Sequence, residues 1–220
     1  ILKRVAGEPT AAYLKHIFSI KGVKIIENDF VKKINSIESC VASVELVSGK
    51  SIDVDLLLVA TGGYPEVELA KSAKLEIEDG IKVNERLETN DPSIFAAGDC
   101  ASFCHNGVLL RLESVGNAID QGQTVALNIV GKKTTFNAKP WFWSDQFDQK
   151  LQIAGLCNGF TEIIERKIKD KVSFWYYKDE MLIAVDAFND PQSYMIGKRL
   201  IEENKSPNKK ILSDINLQVK

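Results

Sequence analysis

The chain has 220 residues, of which 45% are apolar and 26% are charged, and its formal net charge is −2. These values are typical of a folded protein with one or two domains and exclude disordered and collagen-like chains. The longest aliphatic run, Leu56 to Ala60, is far shorter than the roughly 18 to 20 apolar residues that span a bilayer. We therefore expect a cytoplasmic protein without a membrane partner, and the near-neutral charge gives no reason to expect nucleic acid.

In the first 70 residues, helical and strand patterns alternate. The predicted elements are a helix at 9–21 closed by Gly22, a strand at 23–26, a hairpin formed by 41–47 and 51–54, and a buried strand at 56–60. The last strand ends at Thr61-Gly62. A buried strand that stops at glycine is the arrangement in which open α/β sheets present ligands at strand ends.

A second buried strand, Ile94 to Ala97, stops abruptly at Gly98-Asp99. It follows a short helix after Pro65 and a strand at 80–83. After a loop, the apolar positions between Ser114 and Val130 follow helical spacing, with Ser114 as the expected N-cap and Gly131 as the stop. Strand, Gly-Asp, loop and helix therefore follow one another.

Beyond Gly131 the composition changes, because all three tryptophans and three of the five tyrosines lie between Trp141 and Tyr194. The predicted elements are strands at 151–156, 161–166, 172–177 and 182–187 and a helix at 191–203. Together they predict a small α+β domain with an antiparallel sheet, beginning near Thr134. The polar tail from Lys205 onward is expected to be loosely held.

Gly98-Asp99 is the strongest local chemical signal. Glycine lets the backbone approach a ligand closely, and the carboxylate can accept hydrogen bonds from the hydroxyls of a sugar-alcohol chain. Taken alone, the same pattern is equally typical of a simple turn.

Several motifs in a fixed order extend this signal over more than half of the chain. They are Val59-Ala-Thr-Gly62 with Pro65, Thr89 to Asp99, Arg111-Leu-Glu-Ser-Val115, Asp120-Gln121-Gly122, Pro140-Trp-Phe-Trp-Ser-Asp-Gln146, Lys150 to Gly155 and Ala184-Val-Asp-Ala187. In these residues the sequence resembles the C-terminal half of the FAD-dependent NADH:ferredoxin reductases, the putidaredoxin reductase and aromatic-dioxygenase reductase family. The Pro-Trp-Phe-Trp-Ser-Asp-Gln segment is the most specific of them.

The resemblance implies cofactor-binding roles for six residues: Gly98, Asp99, Val115, Trp143, Thr61 and Gly62. Asp99 would bind the FAD ribityl chain, next to Gly98, and the Val115 amide would face the pyrimidine edge of the flavin. Trp143 would lie beside the isoalloxazine; the alternative is that Trp141 and Trp143 form interface core. Thr61-Gly62 would mark the crossing from the NAD domain to the FAD domain. For Arg111 and Glu113, a surface ion pair and a functional role are equally compatible with the sequence.

Elementary electrostatics supports the role of Val115. It stands in the first turn of the predicted helix, where amides without intrahelical partners and the positive end of the helix dipole favour negative charge. A two-electron-reduced flavin carries negative charge at its N1 and C2-oxygen edge, so such a helix terminus favours flavin reduction.

No G-x-G-x-x-G occurs in the chain, although a complete reductase of this family has two of these dinucleotide-binding fingerprints. The first residue is Ile1 rather than methionine, and we expect a C-terminal piece of a longer chain. The predicted domains are a remnant of the NAD domain at 1–60, the closing segment of the FAD domain at 61–133 and a C-terminal α+β domain at 134–220. The fold class is thus α/β, part of a flavoprotein disulfide reductase-like fold with two dinucleotide-binding domains.

The expected function is passage of electrons from NADH through FAD to a [2Fe-2S] ferredoxin that supplies an oxygenase, with a homodimer compatible with the resemblance. This chemistry requires no catalytic base, nucleophile or metal, and the four cysteines and two histidines are too scattered to predict a metal site. A redox pair formed by Cys100 and Cys104 is an alternative reading of their C-x3-C spacing. Further alternatives are an NADH oxidase or nitrite-reductase-like flavoprotein, and a dimerisation or interaction module without flavin.

Overall fold

A computed structural model describes residues 1–2 and 5–217. The chain divides into two compact units, one formed by Tyr13–Tyr64 and the other by Ile1–Ala12 with Pro65–Lys220, and each is described by itself. No helix within the described residues is both long enough and apolar enough to cross a membrane. The predicted domains at 1–60, 61–133 and 134–220 stay a prediction.

The helices are α1 (Glu8–Ile20), α2 (Glu68–Ser72), α3 (Val115–Ile129), α4 (Pro191–Glu202) and α5 (Lys209–Ser213). The strands are β1 (Val31–Ile37), β2 (Cys40–Leu46), β3 (Ser51–Asp53), β4 (Ile81–Val83), β5 (Ala101–His105), β6 (Val108–Leu110), β7 (Trp141–Gln146), β8 (Gln149–Gly155), β9 (Glu162–Ile168), β10 (Lys171–Lys178) and β11 (Met181–Phe188).

In the Tyr13–Tyr64 unit, β1, β2 and β3 form an antiparallel sheet in that order. The predicted hairpin at 41–54 is thereby confirmed, whereas β1 was not predicted because its lysines interrupt the apolar alternation. The predicted strands at 23–26 and 56–60 are wrong, since neither segment pairs with another described strand. Leu56 and Leu58 are 86% and 85% exposed, so the apolar run lacks the burial that selects a central strand.

The first part of the other unit contains a small sheet in which β5 pairs in parallel with β4 and antiparallel with β6. Its core includes Leu87 and Phe103. The predicted strand at 94–97 is wrong in extent, because only Phe95 forms an isolated bridge, to Glu88. The loop expected after Gly98-Asp99 is instead the β5–β6 hairpin.

Helix α3 begins and ends as predicted. The Ser114 hydroxyl accepts a hydrogen bond from the Asn117 amide, which is the expected N-cap, and Gly131 follows the helix with φ of +83°. The buried residues of α3 are Gly116, Asn117, Gln121 and Thr124, whereas the apolar side chains of Val115, Ile119 and Ile129 are more than half exposed.

Five antiparallel strands form the sheet of the C-terminal part, in the order β7-β8-β11-β10-β9. The predicted strands correspond to β8 through β11, and β7 is the additional edge strand, formed by the Trp-Phe-Trp motif. Helix α4 begins at Pro191 behind the cap Asp190 and packs on β11 and β8. The antiparallel sheet predicted for this region is confirmed.

The tail after Lys205 is held more tightly than predicted. Leu212 of α5 is fully buried, and the guanidinium of Arg166 donates hydrogen bonds to five tail carbonyls. The last carbonyls of a helix have no N–H donor within the helix, and the guanidinium of Arg166 supplies such donors here. The prediction of a loosely held tail is therefore wrong for residues up to 217; residues 218–220 lie outside the described part.

A buried network joins the first residues of the chain to the five-stranded sheet. Asp186 Oδ2 accepts hydrogen bonds from the hydroxyls of Thr10 (2.5 Å) and Tyr176 (2.9 Å), and the Gly7 amide also donates to this carboxylate. Asp186 and Thr10 are fully buried. Burial raises the pKa of Asp186 to about 6, although the hydrogen bonds oppose the shift.

Candidate functional site

The Gly98-Asp99 pair forms a 3₁₀ turn, Gly98–Cys100, between the bridge at Phe95 and β5. Gly98 is buried with φ of +82°, a conformation that favours glycine, and its amide donates to Oε1 of Gln121 over 2.7 Å. Gln121 is fully buried in α3. The turn is thereby fastened to α3, while the Asp99 carboxylate stays exposed.

Asp99 and the N-terminus of α3 line one open cleft of about 570 Å³. The cleft residues are Asp99, Glu113, Ser114, Val115, Ala118 and Ile119. Val115 is 58% exposed at the first position of α3. No acceptor among the described residues pairs with the amides of Val115 and Gly116, as expected for the first turn of a helix. The two polar features predicted from the sequence, a carboxylate and a free helix terminus, therefore share one cleft.

The aromatic motif packs against the same helix terminus. A Cβ atom at Gly116 would overlap the Trp141 indole, so only glycine allows this approach. The Trp141 ring is stacked on Trp143, with centroids 5.3 Å apart and an interplanar angle of 22°. Trp143 is 42% exposed, and on the other side Lys198 Nζ lies 5.5 Å from the Trp141 centroid. Trp141 is thus a packing residue of β7, while Trp143 keeps an accessible face.

A second cavity of about 410 Å³ adjoins the cleft, since Glu113 and Ser114 line both. Its remaining lining residues are mostly apolar: Leu2, Val5, Arg111, Leu112, Pro140, Trp141, Phe142, Ile153, Gly155 and Leu156. The segment 111–114 therefore lies between the cleft that contains Asp99 and a second, mostly apolar cavity.

Of the six predicted site residues, the structure brings Gly98, Asp99 and Val115 together, and Trp143 stacks on the tryptophan that contacts the same helix. Thr61 and Gly62 lie in an exposed segment of the Tyr13–Tyr64 unit, and their role stays a prediction.

The sequence gave no individual role to Gln121 or Gly116 and left the role of Arg111 open, yet all three residues contact the Asp99 turn or the motif at the start of α3. Gln121 is buried together with Asn117 and Thr124 on the polar face of α3, so the apolar spacing that predicted the helix gave no signal for it.

Cys100 and Cys104 are both free thiols, and the alternative of a redox pair stays a prediction. His105 is partly buried, and this burial lowers its pKa. Among residues 1–2 and 5–217, no cluster of three histidine, cysteine or acidic side chains could hold a metal ion.

The cleft fits part of an FAD molecule on the chemistry of its own groups. An exposed carboxylate with no protein partner among the described residues can accept hydroxyl hydrogen bonds, and unpaired helix amides can donate to an anionic or carbonyl edge. The Trp141 indole packs against Gly116 at the same helix terminus and is stacked on Trp143, which does not itself line the cleft. Asp99, Val115 and Trp143 are thus of the right chemical kinds for a ribityl chain, a pyrimidine edge and a ring system.

Comparison with known families agrees with this assignment. Residues 1–122 match the family model described as pyridine nucleotide-disulphide oxidoreductase, and residues 141–220 match the model described as reductase C-terminal. Because the first match covers more than half of the chain, the chain belongs to the pyridine nucleotide-disulphide oxidoreductase family. The C-terminal match and several similar proteins are those of ferredoxin reductases, the family that the sequence resembles.

Among curated proteins, putidaredoxin reductase CamA from Pseudomonas putida is 33% identical over 227 residues, covering 100% of this chain and 54% of the relative. The crystal structure of a ferredoxin reductase from Rhodopseudomonas palustris has a TM-score of 0.95 at 33% identity, covering 99% of this chain and 55% of that one. A covalent putidaredoxin reductase–putidaredoxin complex has a TM-score of 0.92 at 32% identity, covering 98% and 53%. The chain thus spans about half the length of the relatives it matches.

Family membership implies an oxidoreductase fold and the cofactors FAD and NAD(H), which confirms the predictions of class and cofactors. The roles of the individual site residues are not tested by these similarities.

Proposed function

We propose that this protein is an FAD-dependent reductase that takes electrons from NADH and passes them to a [2Fe-2S] ferredoxin, which supplies an oxygenase. When bound, the flavin supplies the redox chemistry, accepting a hydride from the nucleotide and releasing electrons to the acceptor. The observation that carries the proposal is the shared cleft in which the Asp99 carboxylate faces the same space as the N-terminus of α3.

Within this proposal, the protein's own groups bind and orient the flavin. The Asp99 carboxylate accepts hydrogen bonds from ribityl hydroxyls, and Gly98 keeps the turn close to α3 through Gln121. The Val115 amide and the positive end of the α3 dipole stabilise negative charge at the pyrimidine edge. No proton-transferring side chain is needed, because the hydride acceptor belongs to the cofactor.

Trp143 is proposed to cover the isoalloxazine and to exclude water from it. Its indole is held flat by the stack on Trp141, which is itself fixed against Gly116 at the helix terminus. A pre-ordered aromatic face loses little conformational entropy when a ring system binds.

The ferredoxin partner is proposed on the basis of the relatives. One similar structure is a complex of putidaredoxin reductase with putidaredoxin, and the related reductases are named for ferredoxin-type acceptors. The [2Fe-2S] type of the cluster, the oxygenase and a homodimer are finer proposals that follow from the sequence resemblance.

The reductase function is tested with the intact gene product. We expect a yellow protein that NADH bleaches under anaerobic conditions, and whose colour returns when an oxidised [2Fe-2S] ferredoxin from the same genome is added. A colourless protein that leaves the NADH absorbance unchanged would refute the reductase function. If NADH bleaches the protein but no [2Fe-2S] ferredoxin restores its colour, the proposed partner is refuted and the alternative of an NADH oxidase is favoured.

The site is tested by Asp99→Asn and Asp99→Ala. In Asp99→Asn the side-chain amide can still accept a hydrogen bond but carries no negative charge, so the Kd for FAD should rise about tenfold. Asp99→Ala removes the acceptor altogether, and the Kd should rise about a hundredfold. The matched control is Asp170→Asn, since Asp170 is exposed in the turn between β9 and β10. An unchanged Kd for both Asp99 variants would contradict the role of Asp99.

A further inference from the structure

Arg111 has a buried guanidinium next to an otherwise open cleft. Its side chain is only 5% exposed, although it lies just before α3 in a segment that reaches the surface. The space for it exists because Gly80 has no side chain: a Cβ atom there would lie 2.9 Å from Arg111 Cδ. An exposed arginine in a surface ion pair needs no such space, so the structure favours a specific role.

The guanidinium joins three segments that are distant in the sequence. Nη1 donates to the backbone carbonyl of Asp99 over 3.0 Å and to Oε1 of Glu113 over 2.6 Å. Nη2 lies 3.4 Å from Oδ1 of Asp79, on the side away from the cleft. Burial lowers the pKa of Arg111, but the hydrogen bond to Glu113 and the charge of Asp79 outweigh it and raise the pKa, so the group stays charged.

Two of these three partners, Asp99 and Glu113, line the proposed flavin cleft. The Asp99 turn is therefore held at two points, at the Gly98 amide by Gln121 and at the Asp99 carbonyl by Arg111. A turn fixed at both its donor and its acceptor end cannot rotate without breaking one of these two hydrogen bonds, which keeps the Asp99 side chain directed into the cleft. The same arginine fixes the Glu113 carboxylate, which is 39% exposed at the border of the cleft and the apolar cavity.

We propose that Arg111 is a positioning residue of the flavin site, which fixes the Asp99 turn and the Glu113 carboxylate in the arrangement that binds the cofactor. This inference rests on the proposed function. Arg111 itself acts through Asp99 and Glu113, and its planar fork of donors is what allows one side chain to hold both.

The experiment compares Arg111→Gln, Arg111→Lys and Glu113→Gln with the parent in the intact gene product. For Arg111→Gln we expect the Kd for FAD to rise about tenfold and the visible circular dichroism of bound FAD to change, because the ribityl contact is no longer fixed. Arg111→Lys keeps the positive charge but lacks the planar set of guanidinium donors, so it should bind FAD almost as weakly as Arg111→Gln. The matched control is Lys82→Gln, which removes an exposed ion pair with Glu78 from the neighbouring strand β4.

A double-mutant cycle separates positioning from general stability. If Arg111 acts partly by holding Glu113, the effects of Arg111→Gln and Glu113→Gln on the Kd for FAD should sum to more than the effect of the double variant. If Arg111→Gln does not fold, the positioning role is tested by the same measurements on Arg111→Lys, because lysine preserves the buried charge.

An unchanged Kd and an unchanged flavin spectrum in the Arg111 variants would overturn the inference. The proposed function is judged separately by Asp99→Asn: if that variant also binds FAD normally, the site assignment itself fails. If Asp99→Asn weakens binding while the Arg111 variants do not, only the positioning role fails.

Discussion

The buried carboxylate of Asp186 makes the stability of this protein depend on pH in a direction opposite to that of most acidic residues. Burial raises its pKa from an ordinary value of 3.8 to about 6, although hydrogen bonds from Thr10, Tyr176 and Gly7 oppose the shift. Oδ1 has no hydrogen-bond partner among the described residues. An acid whose pKa is higher in the folded state binds its proton more tightly when folded. The folded state is therefore favoured at low pH and loses this advantage as pH rises through about 6.

The magnitude follows from the shift of about 2 pKa units, at about 1.4 kcal/mol per unit. Between pH 4 and pH 7.5 the parent should lose about 2 to 3 kcal/mol of unfolding free energy that Asp186→Asn does not lose. The asparagine oxygen can still accept from Thr10 or Tyr176, so the variant keeps the shape of the network. The neighbouring groups do not titrate in this window, since the pKa of Cys157 is raised to about 11 and that of Tyr176 is raised further.

The assay is urea unfolding of parent and Asp186→Asn at closely spaced pH values from 4 to 7.5, with the difference in unfolding free energy plotted against pH. A second variant, Tyr176→Phe, removes one donor to the ionised carboxylate and should make the pH dependence of the parent steeper. Parallel profiles for parent and Asp186→Asn, within about 0.5 kcal/mol across the range, would refute the reasoning.

Two further predictions concern packing. Arg166→Met removes the donors of five buried or partly buried hydrogen bonds to the tail, so it should lower the unfolding free energy by about 2 to 4 kcal/mol and speed amide hydrogen exchange in 209–217; unchanged exchange there would contradict the anchoring role. Gly116→Ala should displace Trp141, cost about 1 to 3 kcal/mol and change the near-UV circular dichroism. Its control, Gly122→Ala, has open space in the same helix and should stabilise by about 0.5 to 1 kcal/mol, so equal effects would argue against the contact.

The elements that the sequence predicted well are those whose signals are local. Helix α3 has its cap at Ser114, its helical spacing and its stop at Gly131 within one continuous segment, and the structure confirms the helix, the cap and the stop. Strands β10 and β11 are nearly continuous runs of apolar and aromatic residues joined by a tight turn at Asp179. Such patterns depend only on neighbouring residues, so no knowledge of the rest of the fold is needed.

The elements predicted wrongly are those whose form depends on distant partners. The run at 56–60 has the composition of a buried strand, but a strand forms only where another strand supplies its hydrogen bonds, and none of the described ones does. The tail from Lys205 has the composition of a loose end, yet Arg166 on β9 binds its carbonyls. The sequence does not indicate whether a charged residue such as Arg166 will be buried against a backbone segment that is distant along the chain.

The same division applies to the candidate site. By itself the sequence determined the family, the cofactors and the chemical kinds of Asp99, Val115 and Trp143, because motif order and residue type are properties of the chain. Only the tertiary structure decided that Asp99 and the start of α3 face one cleft, and that a buried Arg111 holds the turn from behind. The physical reason is that a cleft and its supports are made by side chains far apart in sequence, whose contacts exist only once the backbone has brought them together.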